Sequence, residues 1–271
     1  MKIPTVGIWG MIREKGGKTL KIITLANQKG GIGKTTTATC LAAILNEWGH
    51  KTLLVDTDVQ CNSTDTFRAA TEDVATLYDL ILDDDPCTLE EAIQHTEAGD
   101  SIASDPGLEE ADVKLRDTDA FFKLKDALEG LEGYEYVVID TNPAVNVMLH
   151  NALVAADEVI IPVTADRYTV KGLSQLTNTI AKVQKRLNPK LRIRGLLLVR
   201  YDERTNLNKS IGKSLLDIAD QIGTKVFDTY IRDSVKCRES QTERMTLIKY
   251  APKCTTEQDY EAFVKELLEE G

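Results

Sequence analysis

The sequence predicts a single doubly wound α/β domain, built on one mostly parallel sheet with helices on both faces. Short, almost purely apolar β-rich runs recur at residues 22–26, 52–55, 136–139, 159–163 and 193–199. Several are followed or separated by segments of helical period, at 35–48, 147–155, 170–187 and 211–222. Strands apolar on both faces must be covered on both, and the alternating helices supply that cover. A glycine-rich stretch stands directly between the first strand and the first helix, where a sheet of this class can receive phosphate.

The element boundaries have local causes. Gly49 follows the last apolar turn of the first helix and suits a C′ position. Asn188-Pro189 ends the long helix, which Thr169 is placed to cap. A last helix is expected at 256–269, where Tyr260, Phe263, Val264, Leu267 and Leu268 follow helical spacing and would dock on the domain. Residues 1–20 carry several glycines, a proline and no sustained periodicity, so they read as a leader to a domain spanning 21–271.

A chain of 271 residues can bury a substantial core, and doubly wound proteins of this size often fold as one domain. At 42% hydrophobic and 28% charged, the composition is that of a globular protein rather than a disordered or fibrous one. The net charge of −10 argues against coating nucleic acid through overall charge, so any DNA contact needs a local basic face. The charges do segregate: residues 71–132 carry 19 acidic and four basic side chains, and residues 182–213 carry ten basic and two acidic. The basic stretch is a candidate polyanion-facing surface, or a solvated face with no partner.

Five cysteines, Cys40, Cys61, Cys87, Cys237 and Cys254, contain no C-x-x-C pair and read as reduced thiols of a cytoplasmic protein. The histidines His50, His95 and His150 have no ligand-spaced partners and are expected to be structural. No apolar run approaches the roughly 20 residues of a membrane span, and no signal-peptide core is visible at the N-terminus.

The strongest chemical signal is ANQKGGIGKTTTA at 26–38. A loop between strand and helix can turn successive backbone N–H groups inward around phosphate oxygens, with the helix N-terminus adding its positive end. Gly30, Gly31 and Gly33 allow close approach and positive φ, Ile32 lies between them, and Thr36 follows on the helix. Lys34 is placed to neutralise the β and γ phosphates of ATP, and the Thr35 hydroxyl to ligate Mg²⁺. Gln28 stands where the G-x-x-x-x-G-K-[ST] pattern has its first glycine, and a second lysine, Lys29, sits at the loop's mouth.

Two further segments end strands in carboxylates. LLVDTDVQCNST at 53–64 offers Asp56 and Asp58, one residue apart, and YVVIDTNPAV at 136–145 ends four apolar residues in Asp140. A carboxylate at a strand's C-terminal end can hold the water shell of a metal, which is the Walker B arrangement.

Together these residues resemble the ParA/Soj branch of the deviant Walker A ATPases, which also include MinD. The resemblance runs from Lys21 to about Leu268 and includes IIPVTADRYTVKGL at 160–173 and YDERTNLN at 201–208. It implies that Lys29 reaches across a dimer to the partner's nucleotide, that Asp58 orients the attacking water, and that Asp56 lies near Mg²⁺ with Thr35 and Asp140. It places Ile231, Arg232 and Asp233 near the adenine, although residues 231–242 lose both prolines of the related pattern. Val59 likewise replaces a proline after Asp58, and Asn142-Pro143-Ala144 departs from the usual run after Asp140.

The resemblance further implies a weak Mg²⁺-dependent ATPase that forms a homodimer with ATP. In that state it would bind non-specific DNA through Arg204 and Lys236 and answer to a ParB-like activator. Its expected place is the cytoplasm, on the nucleoid when ATP is bound. The leader is too short for the helix-turn-helix domain of longer relatives, which argues against sequence-specific recognition. The alternative is a MinD-like positioning ATPase acting on a membrane or a protein assembly. The acidic tail DYEAFVKELLEEG disfavours a membrane partner, because anionic lipid would repel it. An iron–sulfur carrier would need suitably placed cysteines, and a bacterial tyrosine kinase a terminal tyrosine cluster, neither of which is evident.

Overall fold

The computed structural model describes residues 20–117, 119–166, 169–202 and 206–269; all but the last residue of the expected leader lies outside them. The strands are β1 (Lys21–Leu25), β2 (Thr52–Asp56), β3 (Ile93–Thr96), β4 (Gly99–Ile102), β5 (Tyr136–Asp140), β6 (Glu158–Val163) and β7 (Arg192–Leu198). They form one sheet in the order β3-β4-β2-β5-β1-β6-β7, with every neighbouring pair parallel except the antiparallel β3–β4 hairpin. The helices used below are α1 (Lys34–Glu47), α2 (Asn62–Phe67), α3 (Val147–Ala155), α4 (Thr169–Arg186), α5 (Asn206–Gln221), α6 (Val235–Thr242) and α7 (Thr255–Glu269).

Strand alternation divides the core between two faces. Ile23, Leu25, Leu54, Val138 and Ile160 pack with Leu41, Ile44 and Leu45 of α1 and with Tyr260, Phe263 and Val264 of α7. Ile22, Leu53, Val55, Val137, Ile139 and Val159 meet α3 together with Leu173, Leu176 and Ile180 of α4 and Leu215 of α5. Both faces are thus dry, which explains why the five expected strands lack polar alternation. Among the described residues no helix is long and apolar enough to cross a membrane.

The β3–β4 hairpin was not expected, because its residues are too polar and too short-ranged to read as strand. The Gln94 carboxamide ties β3 to the chain after α2, accepting from Ala70 N at 2.7 Å and donating to Ala70 O at 2.9 Å. Thr169 is the first residue of α4 rather than its cap, and its hydroxyl donates to the Thr164 carbonyl.

The far edge brings a distant segment to the site. Between β6 and β7 the register jumps, pairing Val159 with Ile193 and Ile160 with Gly195. Gly195 leaves room for the Phe227 ring, whose Cε2 would stand 2.6 Å from a Cβ there. The following chain runs beside β7, bridging Leu196 to Val226 and Val199 to Ile231, and so delivers α6 to the C-terminal end of the sheet.

Candidate nucleotide-binding site

All the parallel strands of the sheet's centre end on the same edge, and the predicted phosphate-loop residues and Asp58 gather there. A cavity of about 500 Å³ opens between the loop before α1, Asp58 beyond β2, and residues 231–241. Gly30, Gly31, Ile32, Gly33, Lys34, Thr35 and Thr36 line one wall, and Ile231, Arg232 and Asp233 line the other.

The loop is shaped by two left-handed glycines, with φ of 69° at Gly31 and 102° at Gly33. A Cβ at Gly30, Gly31 or Gly33 would meet nothing within 4 Å, so at Gly31 and Gly33 it is the backbone conformation that requires glycine. The first turn of α1 receives no side-chain cap from Gly33, leaving its amides directed into the cavity's end. Lys34 is only 6% exposed and its ammonium donates to the Lys29 carbonyl at 3.2 Å. Burial pulls its pKa down, opposed by the charges of Asp140 and Asp58.

The carboxylates take distinct positions. Asp140 is fully buried and behind the cavity's lining; its Oδ2 accepts from the Ser63 hydroxyl, and its Oδ1 has no hydrogen-bond partner among the described residues. Asp56 is paired in register with Asp140. Its Oδ1 accepts from Asp58 N at 3.0 Å, and its Oδ2 accepts from Thr64 N at 2.9 Å and Thr64 Oγ1 at 2.8 Å. Asp56 therefore does not line the cavity; it braces the backbone that carries Asp58. Burial raises the pKa of both carboxyls, and the charge of Asp140 raises that of Asp56 further. Asp58 lines the cavity, its Oδ1 accepting from Gln60 N at 3.1 Å and its carbonyl from Ser104 Oγ at 2.8 Å.

Lys29 points back into its own subunit, donating to Thr164 Oγ1 at 3.2 Å and pairing with Asp166 beyond β6. On the opposite wall Ile231 is buried, Arg232 forks onto Asp259 of α7 with Nε 2.9 Å from Oδ2, and Asp233 pairs with Arg200. Arg204 lies outside the described residues. Lys236 is exposed beyond the cavity, 2.7 Å from Glu239 and 5.7 Å from the centre of the Tyr250 ring.

The sequence reading missed Arg200, Arg238, Gln241 and Tyr260, which also line the cavity. Arg200, at φ 53°, reaches back so that Nη1 donates to the Gly31 carbonyl at 3.2 Å. A cation ending the last parallel strand was the available signal for it. The five cysteines are free thiols, and Cys237 borders the cavity. Each histidine is engaged locally: His50 with Glu135, His95 with Asp100, and His150 with the Asn146 carbonyl.

The residues present fit a metal–triphosphate group. The open glycine loop, the Thr35 hydroxyl and the unpartnered Asp140 oxygen together offer hard oxygen ligands and amide donors. Comparison with known proteins gives the same frame: a family model described as an AAA domain matches residues 20–193. The chromosome partitioning protein ParA of Caulobacter vibrioides is 36% identical over 255 residues, 92% of this chain and 94% of that protein. The chain belongs to the ParA/Soj family of partition ATPases. Sporulation initiation inhibitor protein Soj of Bacillus subtilis is 37% identical to this ParA-family chain over 256 residues, covering 93% of it and 99% of Soj. A solved structure of cobyrinic acid a,c-diamide synthase from Mycobacterium smegmatis, with bound ATP analog and magnesium, matches at a TM-score of 0.79 and 29% identity. The match covers 92% of this chain and 95% of that one, and supports the P-loop fold.

Proposed function

We propose that this ParA-family chain is a weak Mg²⁺-dependent ATPase whose ATP-bound homodimer binds DNA without sequence preference. Hydrolysis, stimulated by a ParB-like centromere-binding partner, releases it. The observation that carries the reading is the convergence of buried Lys34, the Thr35 hydroxyl and the unpartnered Asp140 oxygen on one open glycine loop.

Loop amides hold the phosphates, and Lys34 exchanges the Lys29 carbonyl for the β and γ phosphate oxygens. Thr35 and Asp140 would hold Mg²⁺ and its water shell. When bound, the ion neutralises charge that builds on the phosphate oxygens during transfer. Asp58 orients the attacking water, held in place through Asp56 and Thr64. Lys29 leaves Asp166 and reaches the partner's nucleotide, so assembly and nucleotide state are tied together. Ile231, Arg232 and Asp233 border the base. Arg204 and Lys236 face DNA, and pairing two subunits doubles the cations that one duplex meets. The protein would then be cytoplasmic, and on the nucleoid while ATP is bound.

Light scattering at a series of protein concentrations, with Mg-ATP, Mg-ADP or no nucleotide, tests the assembly step. The reading expects a dimer with ATP and a monomer otherwise; one mass in all three conditions contradicts it.

A further inference from the structure

Among the described residues, four cationic side chains line the nucleotide cavity: Lys34, Arg200, Arg232 and Arg238. Three are engaged. Lys34 bonds to the Lys29 carbonyl, Arg200 to Asp233 and the Gly31 carbonyl, and Arg232 to Asp259. The Arg238 guanidinium has no acid, carbonyl or ring partner among the described residues.

Its position on α6 is set by a neighbour. Helical spacing puts Arg238 one turn before Gln241 on the same face. Gln241 Nε2 donates to Thr36 Oγ1 at 3.0 Å, which pins that face of α6 against the first turn of α1. In a glycine loop that opens a helix, the amides there serve the inner phosphates. Arg238 therefore lies on the cavity wall held next to the first turn of α1.

We propose that Arg238 is a nucleotide-binding residue whose guanidinium engages oxygens of the α and β phosphates. This rests on the nucleotide reading above and adds to it a contact from outside the motif. A planar fork of N–H donors matches phosphate oxygens bidentately, and an arginine with no existing ion pair gives up only hydration to make the contact. ATP and ADP both carry the α and β phosphates, so the contact supports binding of either nucleotide and does not discriminate between them.

The test is a titration of the full chain, Arg238→Ala and Arg238→Lys with fluorescent ATP and ADP in Mg²⁺, together with thermal unfolding of the nucleotide-free proteins. Arg238→Ala should weaken ATP and ADP alike, by about tenfold or more for loss of charge-assisted bonds. Arg238→Lys should recover part of the loss, and neither variant should change the nucleotide-free melting temperature. Parental affinity of Arg238→Ala for both nucleotides overturns the inference, as does a loss confined to ATP, which would place the contact at the γ phosphate. If the parent itself binds neither nucleotide, the nucleotide reading fails and this contact with it; if the parent binds and Arg238→Ala matches it, only the contact fails.

Discussion

The Lys29 ammonium is paired with Asp166 of its own subunit and bonded to the Thr164 hydroxyl at 3.2 Å. A lysine that serves the partner's nucleotide must first leave this pair. The pair is half-exposed and weak, on the order of 0–1 kcal/mol, so it can hold the side chain without blocking assembly. Asp166→Asn should lower, by a fewfold at most, the protein concentration at which the ATP-bound dimer forms. Lys29→Ala should retain some ATP affinity while weakening that dimer. Light scattering with Mg-ATP measures both, and parental dimerisation and turnover in Lys29→Ala would remove the intersubunit role.

Lys34 is a buried cation at the end of the open loop, its ammonium donating to the Lys29 carbonyl. Lys34→Ala should abolish detectable Mg-ATP binding in calorimetry while the fold persists. Unchanged affinity would remove the phosphate-site assignment.

Asp58 and Asp56 should separate in their effects, since one faces the cavity and the other braces the loop from behind. Asp58→Ala should bind ATP and dimerise but lose hydrolysis, read as phosphate release. Asp56→Ala should also lower thermal stability, because it strands the buried amides of Asp58 and Thr64, at about 1–3 kcal/mol for an unsatisfied group. Parental turnover in Asp58→Ala would move the water-orienting role elsewhere.

Gly195 is the position at which β7 admits the Phe227 ring. Gly195→Val should overpack that contact at a cost of about 1–3 kcal/mol, seen as a lower thermal midpoint. It should also weaken nucleotide affinity, because the segment bridged to β7 carries Ile231 and α6 to the cavity.

Much of this site is legible in the sequence, because its lysines, glycines and threonines are contiguous and flanked by an apolar strand and an apolar helix face. The same holds for the five central strands, whose two-sided burial makes them apolar throughout. Spacing alone cannot separate Asp56 from Asp58, since only the donors around Asp56, Thr64 and the Asp58 amide, show which carboxylate is turned inward. Arg200 and Arg238 belong to no local motif. They reach the cavity through a strand end and through the bridges beside β7, which are long-range contacts. The β3–β4 hairpin is hidden for a different reason: its strands are short, polar and only partly buried, so they carry no apolar run.

The central claim is that DNA binding depends on the nucleotide, despite a net charge of −10. It is tested most directly by titrating the protein onto a random-sequence duplex in Mg-ATP and in Mg-ADP, each at two salt concentrations. The account expects binding with ATP that fades with ADP and weakens with salt, by roughly 0.9 in log–log slope for each phosphate neutralised. Replacing Arg204 and Lys236 with alanine should flatten that slope and leave ATP affinity unchanged. DNA affinity absent in both nucleotides, or equal in both, would contradict the account.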